Sequence, residues 1–343
     1  MHVNLHCEGA EIAVPGSIAN LGPGFDTLAV AVQLYLRVRI LHINQRQKKA
    51  LRFKFVDQQL QGDNAIEHAF RCVAYRHGFE FPTLSLEVRS DIPMRAGLGS
   101  SAAATVAGLR LFELLTGERP VQELLSIASE LEGHPDNAAA ALLGGLASSC
   151  QAADESVIAV SSPWPHSVGF VVLTPEIPLR TLDSRNVLPT QIDRSDAVFN
   201  LQRVSLLLNS VQSGDFRLMK EALRDRWHQP HRQRLVPGLE KLLALDHPDL
   251  LGVCLSGSGP SIVALAQQNL GDIGDLMSEA YLPLGIPHQV RILRAHQPSS
   301  APRGASGPSQ AMSEEKIEPE LNLPRRSRSG RDHTRTRRSS RRP

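Results

Sequence analysis

Residues 94–109 read MRAGLGSSAAATVAGL: two glycines one position apart, two serines, then alanines entering a helical pattern. Glycine lets a backbone close tightly, and the unpaired amides of a helix opening behind it attract anions, so the stretch has the makings of a phosphate site. Ser100 and Ser101 read as caps of that helix that also offer a hydroxyl to a phosphate or its magnesium. An ordinary glycine turn before a serine-capped helix uses the same residues. Two familiar nucleotide loops are excluded. A Walker A loop needs Lys followed by Ser or Thr after its last glycine, and the chain has no such element. Gly97, Gly99 and Ala102 match the dinucleotide pattern GxGxxA formally, but Pro93 interrupts the approach and a second helix follows where a parallel strand should come.

Three other clusters carry polar groups at turns. In VPGSIANLGPGFDTLAVAV, residues 14–32, a strand breaks at Pro15 and a Gly22-Pro23-Gly24 turn sets Asn20 and Asp26 around one loop. That loop suits an amine or hydroxyl, although its residues are also the usual turn formers. In ELEGHPDN a helix ends at Gly133, followed at once by His134, Asp136 and Asn137. SGSGPS, residues 256–261, lies between apolar runs as a hairpin turn or as a second glycine wall for a ligand.

Strands and helices must hold these turns. Thr27 to Ile43 is rich in Val, Leu and Ile, and Leu84, Leu86 and Val88 alternate with polar residues, the pattern of antiparallel sheet with one face buried. Asn64 to Gly78 carries a helical stripe of Ile66, Ala69, Phe70 and Val73. A helix from Ala102 stops at Gly117, and another runs from Pro120 through Leu131, with no strand between them. SSPWPH, residues 161–166, marks a boundary; beyond it come an apolar strand at Val168 to Leu173, a long helical region from Ala197 to Trp227, and the strand-turn-strand unit LGVCLSGSGPSIVALA.

The 343 residues are 41% apolar and only 4% aromatic, so the core must be aliphatic and base-stacking platforms are improbable. Residues 321–343 hold nine arginines against one aspartate, a local +8 that leaves the rest of this +2 chain at −6. From about residue 297 the composition turns to Pro, Ser, Gly, Gln and Arg, as in a solvated, disordered tail. Cys7, Cys72, Cys150 and Cys254 stand far apart, which suggests free thiols in a reducing compartment. The N-terminus lacks the pattern of a signal peptide and no window reaches ~18 apolar residues, so the expectation is a soluble cytoplasmic protein.

Taken in order, VPGSIANLGPGFD, PMRAGLGSSAA and LSGSGPS resemble the three motifs of the GHMP kinase superfamily. EGHPDN and the ANLGPGFD form of the first motif are most similar to its homoserine-phosphorylating members. The resemblance covers roughly residues 10–290. It extends to RTLDSRNVLP, with Thr181 and Arg185, and to QPHRQRLVPG, with Arg232. It implies a two-domain α+β fold: an N-terminal ATP-binding domain of the ribosomal protein S5 domain 2 type over residues 1–160, then a ferredoxin-like domain over 166–296, leaving 297–343 as the basic tail.

The implied activity moves the γ-phosphoryl group of ATP to the side-chain hydroxyl of L-homoserine, giving O-phospho-L-homoserine for threonine synthesis. Magnesium is the implied cofactor. No nucleic acid or membrane is needed, and a homodimer is compatible. By the resemblance Pro93, Met94, Arg95 and Ala96 lead into the ATP loop, Gly97, Leu98 and Gly99 form it, and Ser100, Ser101, Ala102 and Ala103 open its helix. Asn64 stands near the adenine. Ser101 and Glu132 hold the metal, with Glu130 as the alternative to Glu132. Arg185 and Arg232 take the substrate carboxylate, as planar guanidinium groups do well. Asp26 takes the ammonium, and Asn20, His134, Asn137, Thr181 and Gly257 surround the remainder. His134, Asp136 and Asn137 are the catalytic candidates; whether His134, Asp136 or no base accepts the hydroxyl proton stays open.

Two departures from the family pattern stand out. The first motif reads GSIAN where relatives usually read ASSAN, so Gly16 should loosen the turn, and Arg95 sits beside the phosphate loop. The competing readings are a GHMP kinase for mevalonate or a sugar and a catalytically silent binding protein on the same fold. A serine hydrolase built on Ser100 lacks the GxSxG elbow.

Overall fold

The apolar alternations become two sheets. The structure, a computed structural model, describes residues 4–56 and 64–298. One sheet comprises β1 (Glu11–Ala19), β2 (Leu28–Lys48), β3 (Leu51–Phe55), β4 (Pro82–Ser90), β5 (Leu146–Gln151) and β6 (Val157–Ser162), in the order β3-β4-β2-β5-β6 with β1 also on β2. The other comprises β7 (Gly169–Pro175), β8 (Leu250–Leu255), β9 (Ile262–Ala266) and β10 (His288–Leu293), in the order β10-β7-β9-β8. Every ladder is antiparallel except β3 on β4, which is parallel. Of the expected tail, Gln297 is tied to Trp164 by two hydrogen bonds of 3.0 and 2.8 Å rather than solvated, and residues 299–343 lie outside the described residues.

Four helices serve the first sheet: α1 (Ala65–Arg76), α2 (Ser100–Thr116), α3 (Val121–Glu132) and α4 (Asp136–Leu143). α2 and α4 lie against β1 and β2. α2 also packs closely on α1, where a Cβ on Gly108 would stand 2.3 Å from the Ile66 carbonyl. The second half adds α5 (Thr181–Asn186), α6 (Arg194–Ser213), α7 (Met219–Ala222), α8 (Gln229–Arg232), α9 (Leu239–Leu243) and α10 (Leu270–Tyr281).

β7 shows why its sequence runs apolar. Phe170 and Val172 point into a core shared with the first sheet's helices, Leu207 and Met219, while Val171 and Leu173 point the other way, into a core with Leu239, Ile273 and Met277. Successive side chains of a strand face opposite ways, so a strand covered on both faces must be apolar at every position.

Two expectations change. The chain does not break at Pro15; β1 continues past it with a register shift between Pro15 and Gly16. Proline has no ladder N–H to give, and a bulge is where a strand tolerates that loss. The helical region 197–227 is not continuous either. Gly214, at φ 72°, ends α6, and Asp215 caps a new short turn before α7.

Candidate active site

The three glycine motifs, far apart in sequence, are sewn together by backbone hydrogen bonds. Ser17 N donates to Leu98 O at 3.0 Å, Gly257 N to Ala19 O at 3.1 Å, and Ser261 N to Ala96 O at 3.2 Å. Ser256 Oγ donates to Gly97 O at 2.6 Å, and Asn20 Nδ2 to Gly257 O at 3.0 Å. Gly97 must be glycine: φ is +74°, and a Cβ would lie 2.5 Å from Ser256 O and 2.7 Å from Gly259 O. Gly16 answers to the same closeness, since a Cβ there would meet Leu98 O at 2.9 Å. It seats the first motif on the second rather than loosening a turn.

Between the motifs lies a cavity of about 490 Å³. At one end Glu132, at the C-terminus of α3, faces the first turns of α2. Its Oε1 accepts from Ser101 Oγ at 3.1 Å and from Thr105 Oγ1 at 2.6 Å. Glu130 turns away and pairs with Arg76 at 2.6 Å. A carboxylate and two hydroxyls beside the free amides of a helix start form an all-oxygen donor set of the kind magnesium takes together with phosphate oxygens. The residues present therefore fit that ion.

The other end is charged in both signs. Arg185 forks onto Asp26, NH1 to Oδ2 at 3.0 Å and NH2 to Oδ1 at 2.8 Å. Arg232 is buried, and the guanidinium carbons of Arg232 and Arg185 lie 5.4 Å and 5.6 Å from the ring of Phe25. Their positive charges gain from the ring's negative face. Between the two ends stands the HPDN turn. His134 Nδ1 meets Asp136 Oδ1 at 2.6 Å, the same oxygen accepts Asn137 N at 2.7 Å, and Asn137 Oδ1 accepts Ser17 Oγ at 2.7 Å.

Residues 64–145 match the GHMP kinases N terminal domain and residues 206–281 the GHMP kinases C terminal domain. A homoserine kinase from Solibacter usitatus is 38% identical over 272 residues, 79% of this chain and 89% of that one. The chain belongs to the GHMP kinase family. The crystal structure of homoserine kinase from Cytophaga hutchinsonii superposes on this GHMP kinase with a TM-score of 0.74 at 30% identity, covering 85% of this chain and 96% of that one. That of L. major mevalonate kinase in complex with R-mevalonate gives 0.63 at 19% identity, covering 85% and 97%, a likeness of fold. The α+β, two-domain GHMP kinase fold and an ATP-dependent kinase activity follow.

Within the kinase, most residues named from sequence line the one cavity: Asn20, Asp26 and Asn64; Met94, Arg95, Ala96, Gly97, Gly99, Ser100, Ser101 and Ala102; Glu132, His134, Asp136 and Asn137; Thr181, Arg185, Arg232 and Gly257. Pro93, Leu98 and Ala103 are not on its wall. Leu98 and Ala103 point into the core, because neighbours in a tight turn or helix face different ways. Ser100 and Ser101 do not cap α2. The cap position belongs to Gly99 at φ 72°, where a Cβ would collide with Ser17 Oγ at 2.2 Å, so both serines fall inside the first turn. The side chain of Asn64 caps α1 by accepting Glu67 N at 3.3 Å.

Sequence reasoning missed Thr105, Ser17 and Phe25. Thr105 stands four residues after Ser101, hence on the same helical face, and that spacing was available as a signal. Phe25 adjoins Asp26 in its motif, but a lone aromatic gives no sign of which cations it will meet. Nothing in the sequence pairs Ser17 with Asn137.

Asp26, His134 and Asp136 also bring atoms of ligand type within 4.8 Å of one another. Both oxygens of Asp26 accept Arg185, Asp136 Oδ1 accepts His134 and Asn137, and two guanidinium groups border them, so a dication there would displace the Arg185 fork and meet like charge. The electrostatics follow from the same contacts. Burial pulls the His134 imidazole down, but the hydrogen bond and charge of Asp136 outweigh it and leave its pKa raised. Burial, with the charge of Arg185, brings Arg232 down to about 10, still a cation at neutral pH.

Proposed function

We propose that this chain is a homoserine kinase, transferring the γ-phosphoryl group of ATP to the side-chain hydroxyl of L-homoserine to give O-phospho-L-homoserine, a step of threonine biosynthesis. The observation that carries the reading is the two-signed end of the cavity. Asp26 faces Arg185 and Arg232 there, a combination that matches an α-amino acid's ammonium and carboxylate. Mevalonate offers a carboxylate without an ammonium, and a sugar offers neither.

Phosphoryl transfer asks for positioning and charge neutralisation more than for covalent chemistry. In this reading the amides from Gly97 to Ser101 cradle the triphosphate, and the adenine lies among Phe55, Asn64, Ile66, Val88 and Leu131 on the apolar wall. Ser101 and Glu132 would hold a magnesium ion, which supplies charge screening to the phosphate oxygens. Arg185 and Arg232 hold the substrate carboxylate and Asp26 the ammonium, which leaves the side-chain hydroxyl to reach toward His134 and Asn137. As the bond from the hydroxyl oxygen to phosphorus forms, the bond from phosphorus to the ADP oxygen breaks and the hydroxyl proton must leave.

The two HPDN candidates hold each other. Asp136 raises the His134 pKa, which works against the neutral ring a base must have, and Asp136 Oδ1 already accepts His134 Nδ1 and both nitrogens of Asn137. In this reading the proton passes to a phosphate oxygen, and the HPDN turn orients and screens. Four unpaired cysteines fit a reducing compartment such as the cytoplasm. Among the described residues no helix is long and apolar enough to cross a membrane.

The test is ATP turnover with L-homoserine, mevalonate and galactose side by side in the presence of magnesium. Turnover with homoserine alone is expected; turnover with either other acceptor and none with homoserine would overturn the reading.

A further inference from the structure

Arg232 meets the cavity with one edge of its guanidinium. Three of its five N–H groups are engaged by the protein: Nε donates to Ser184 O at 3.2 Å, and NH1 donates to Gly257 O at 2.9 Å and to Nδ1 of His228 at 3.1 Å. NH2 has no hydrogen-bond partner among the described residues. Where it points is thus set by those three acceptors.

Two of the acceptors are backbone carbonyls, fixed whatever the pH or side chain. The third is a ring nitrogen, which accepts only when it carries no proton. His228 is fully buried, and its Nε2 lies 2.8 Å from Gly22 O. A carbonyl has no hydrogen to give, so the proton of that bond sits on Nε2. A neutral ring protonated at Nε2 keeps its lone pair at Nδ1, which is what Arg232 NH1 requires. A doubly protonated ring would instead set N–H against N–H and cation against cation. Burial and the Arg232 charge push the His228 pKa down, against the opposing charge of Asp225. Asp225 Oδ2 stands 3.6 Å from Nε2, farther than Gly22 O, and its carboxylate caps the turn by accepting the amides of Trp227, His228 and Gln229 and accepts Asn200 Nδ2 as well.

Gly22 belongs to the same loop as Asp26, so the His228 ring stands between the loop that holds one substrate charge and the arginine that holds the other. We propose that His228 is a positioning residue: as the neutral Nε2–H tautomer it aims the free edge of Arg232 at the substrate carboxylate. This rests on the homoserine kinase reading.

Two substitutions separate the two ends of the ring. In His228→Asn the side-chain oxygen stands where Nδ1 was, so the acceptor for Arg232 is kept and the bond to Gly22 is lost. In His228→Gln the amide nitrogen reaches the place of Nε2, so the bond to Gly22 is kept and the Nδ1 position is empty. The full chain is assayed with ATP and homoserine. His228→Gln should raise KM for homoserine by about tenfold or more, the effect of one lost hydrogen bond to a charged group, with KM for ATP within about twofold of the original. His228→Asn should stay within about threefold for both. A merely structural tie to Gly22 predicts the reverse order, and either that order or equal losses would overturn the proposal. Nitrogen-15 shifts of the ring in the unmodified chain give a readout independent of how the variants fold; a proton found on Nδ1 at neutral pH would also overturn it. Should the unmodified chain itself fail to phosphorylate homoserine, the functional reading falls, whereas an active chain with indifferent variants sinks the role of His228 alone.

Discussion

Arg185 closes on Asp26 across 159 positions of sequence, as a two-bond fork of 3.0 and 2.8 Å. The pair is itself a zwitterion, held where a zwitterionic substrate is proposed to bind. Such a ligand can part it and replace each charge, carboxylate to Arg185 and ammonium to Asp26. A ligand carrying one charge would leave half of the pair unsatisfied.

Asp26→Asn and Arg185→Gln should therefore each lower kcat/KM for homoserine by about 10²-fold, and the double substitution should cost far less than the product of the two, because its members act as one unit. Relative to homoserine, 4-hydroxybutyrate, which lacks the ammonium, should improve in Asp26→Asn. Steady-state kinetics of the cycle decide this; strictly multiplicative losses would show that the two residues do not serve one ligand.

Glu132 is the carboxylate that the α2 hydroxyls approach, and Glu130 is not. A magnesium titration of activity should show Glu132→Gln reduced by about 10²-fold or more in kcat. Thr105→Val, which removes one hydroxyl of that oxygen set and the hydrogen bond that orients Glu132, should need about tenfold more magnesium. Glu130→Gln should match the original protein. A Glu130→Gln variant that loses activity while Glu132→Gln keeps it would reverse the assignment.

The His134 pKa is raised above its ordinary 6.5 because Asp136 outweighs burial. A group that binds its proton more tightly in the folded state stabilises that state when protonated. The contribution is thus complete below about pH 6.5 and is lost as pH climbs through the raised folded value. Thermal melts should show the advantage of the original protein over Asp136→Asn greatest below pH 6.5 and shrinking as pH rises above it. An advantage that grows with pH, or a His134 resonance that titrates below 6.5, would refute the pairing.

Two glycines predict opposite signs. Gly97→Ala forces a side chain into φ +74° and into the Ser256 and Gly259 carbonyls, so it should lower stability by roughly 2 kcal/mol or more and raise KM for ATP. Gly271→Ala, near the start of α10 with no atom within 4 Å of the added Cβ, should raise stability by a few tenths to about 1 kcal/mol. Denaturant midpoints measure both.

The sequence by itself determined the elements and the chemistry on offer. Alternation at Leu84, Leu86 and Val88 made a half-buried strand, the stripe from Ala102 made α2, and glycines at 97, 99, 133 and 257 marked turns that later proved to need positive φ. Those are local matters of sterics and periodicity, so they can be read within a few residues. Motif order was enough to suggest the family and the cavity's inhabitants.

Which groups face one another was decided only by the tertiary structure. Glu130 and Glu132 are indistinguishable as letters, yet their separation by two positions on α3 turns one toward Arg76 and the other toward Ser101. Asp26 and Arg185 were assigned separately to two ends of a ligand and turn out to hold each other. The Nδ1 of His228 gained a meaning only when Gly22, from the far end of the chain, came to rest on its Nε2. Pairings of this kind depend on loops anchored to different sheets, and the distances between such loops follow from how the cores pack rather than from any spacing along the chain.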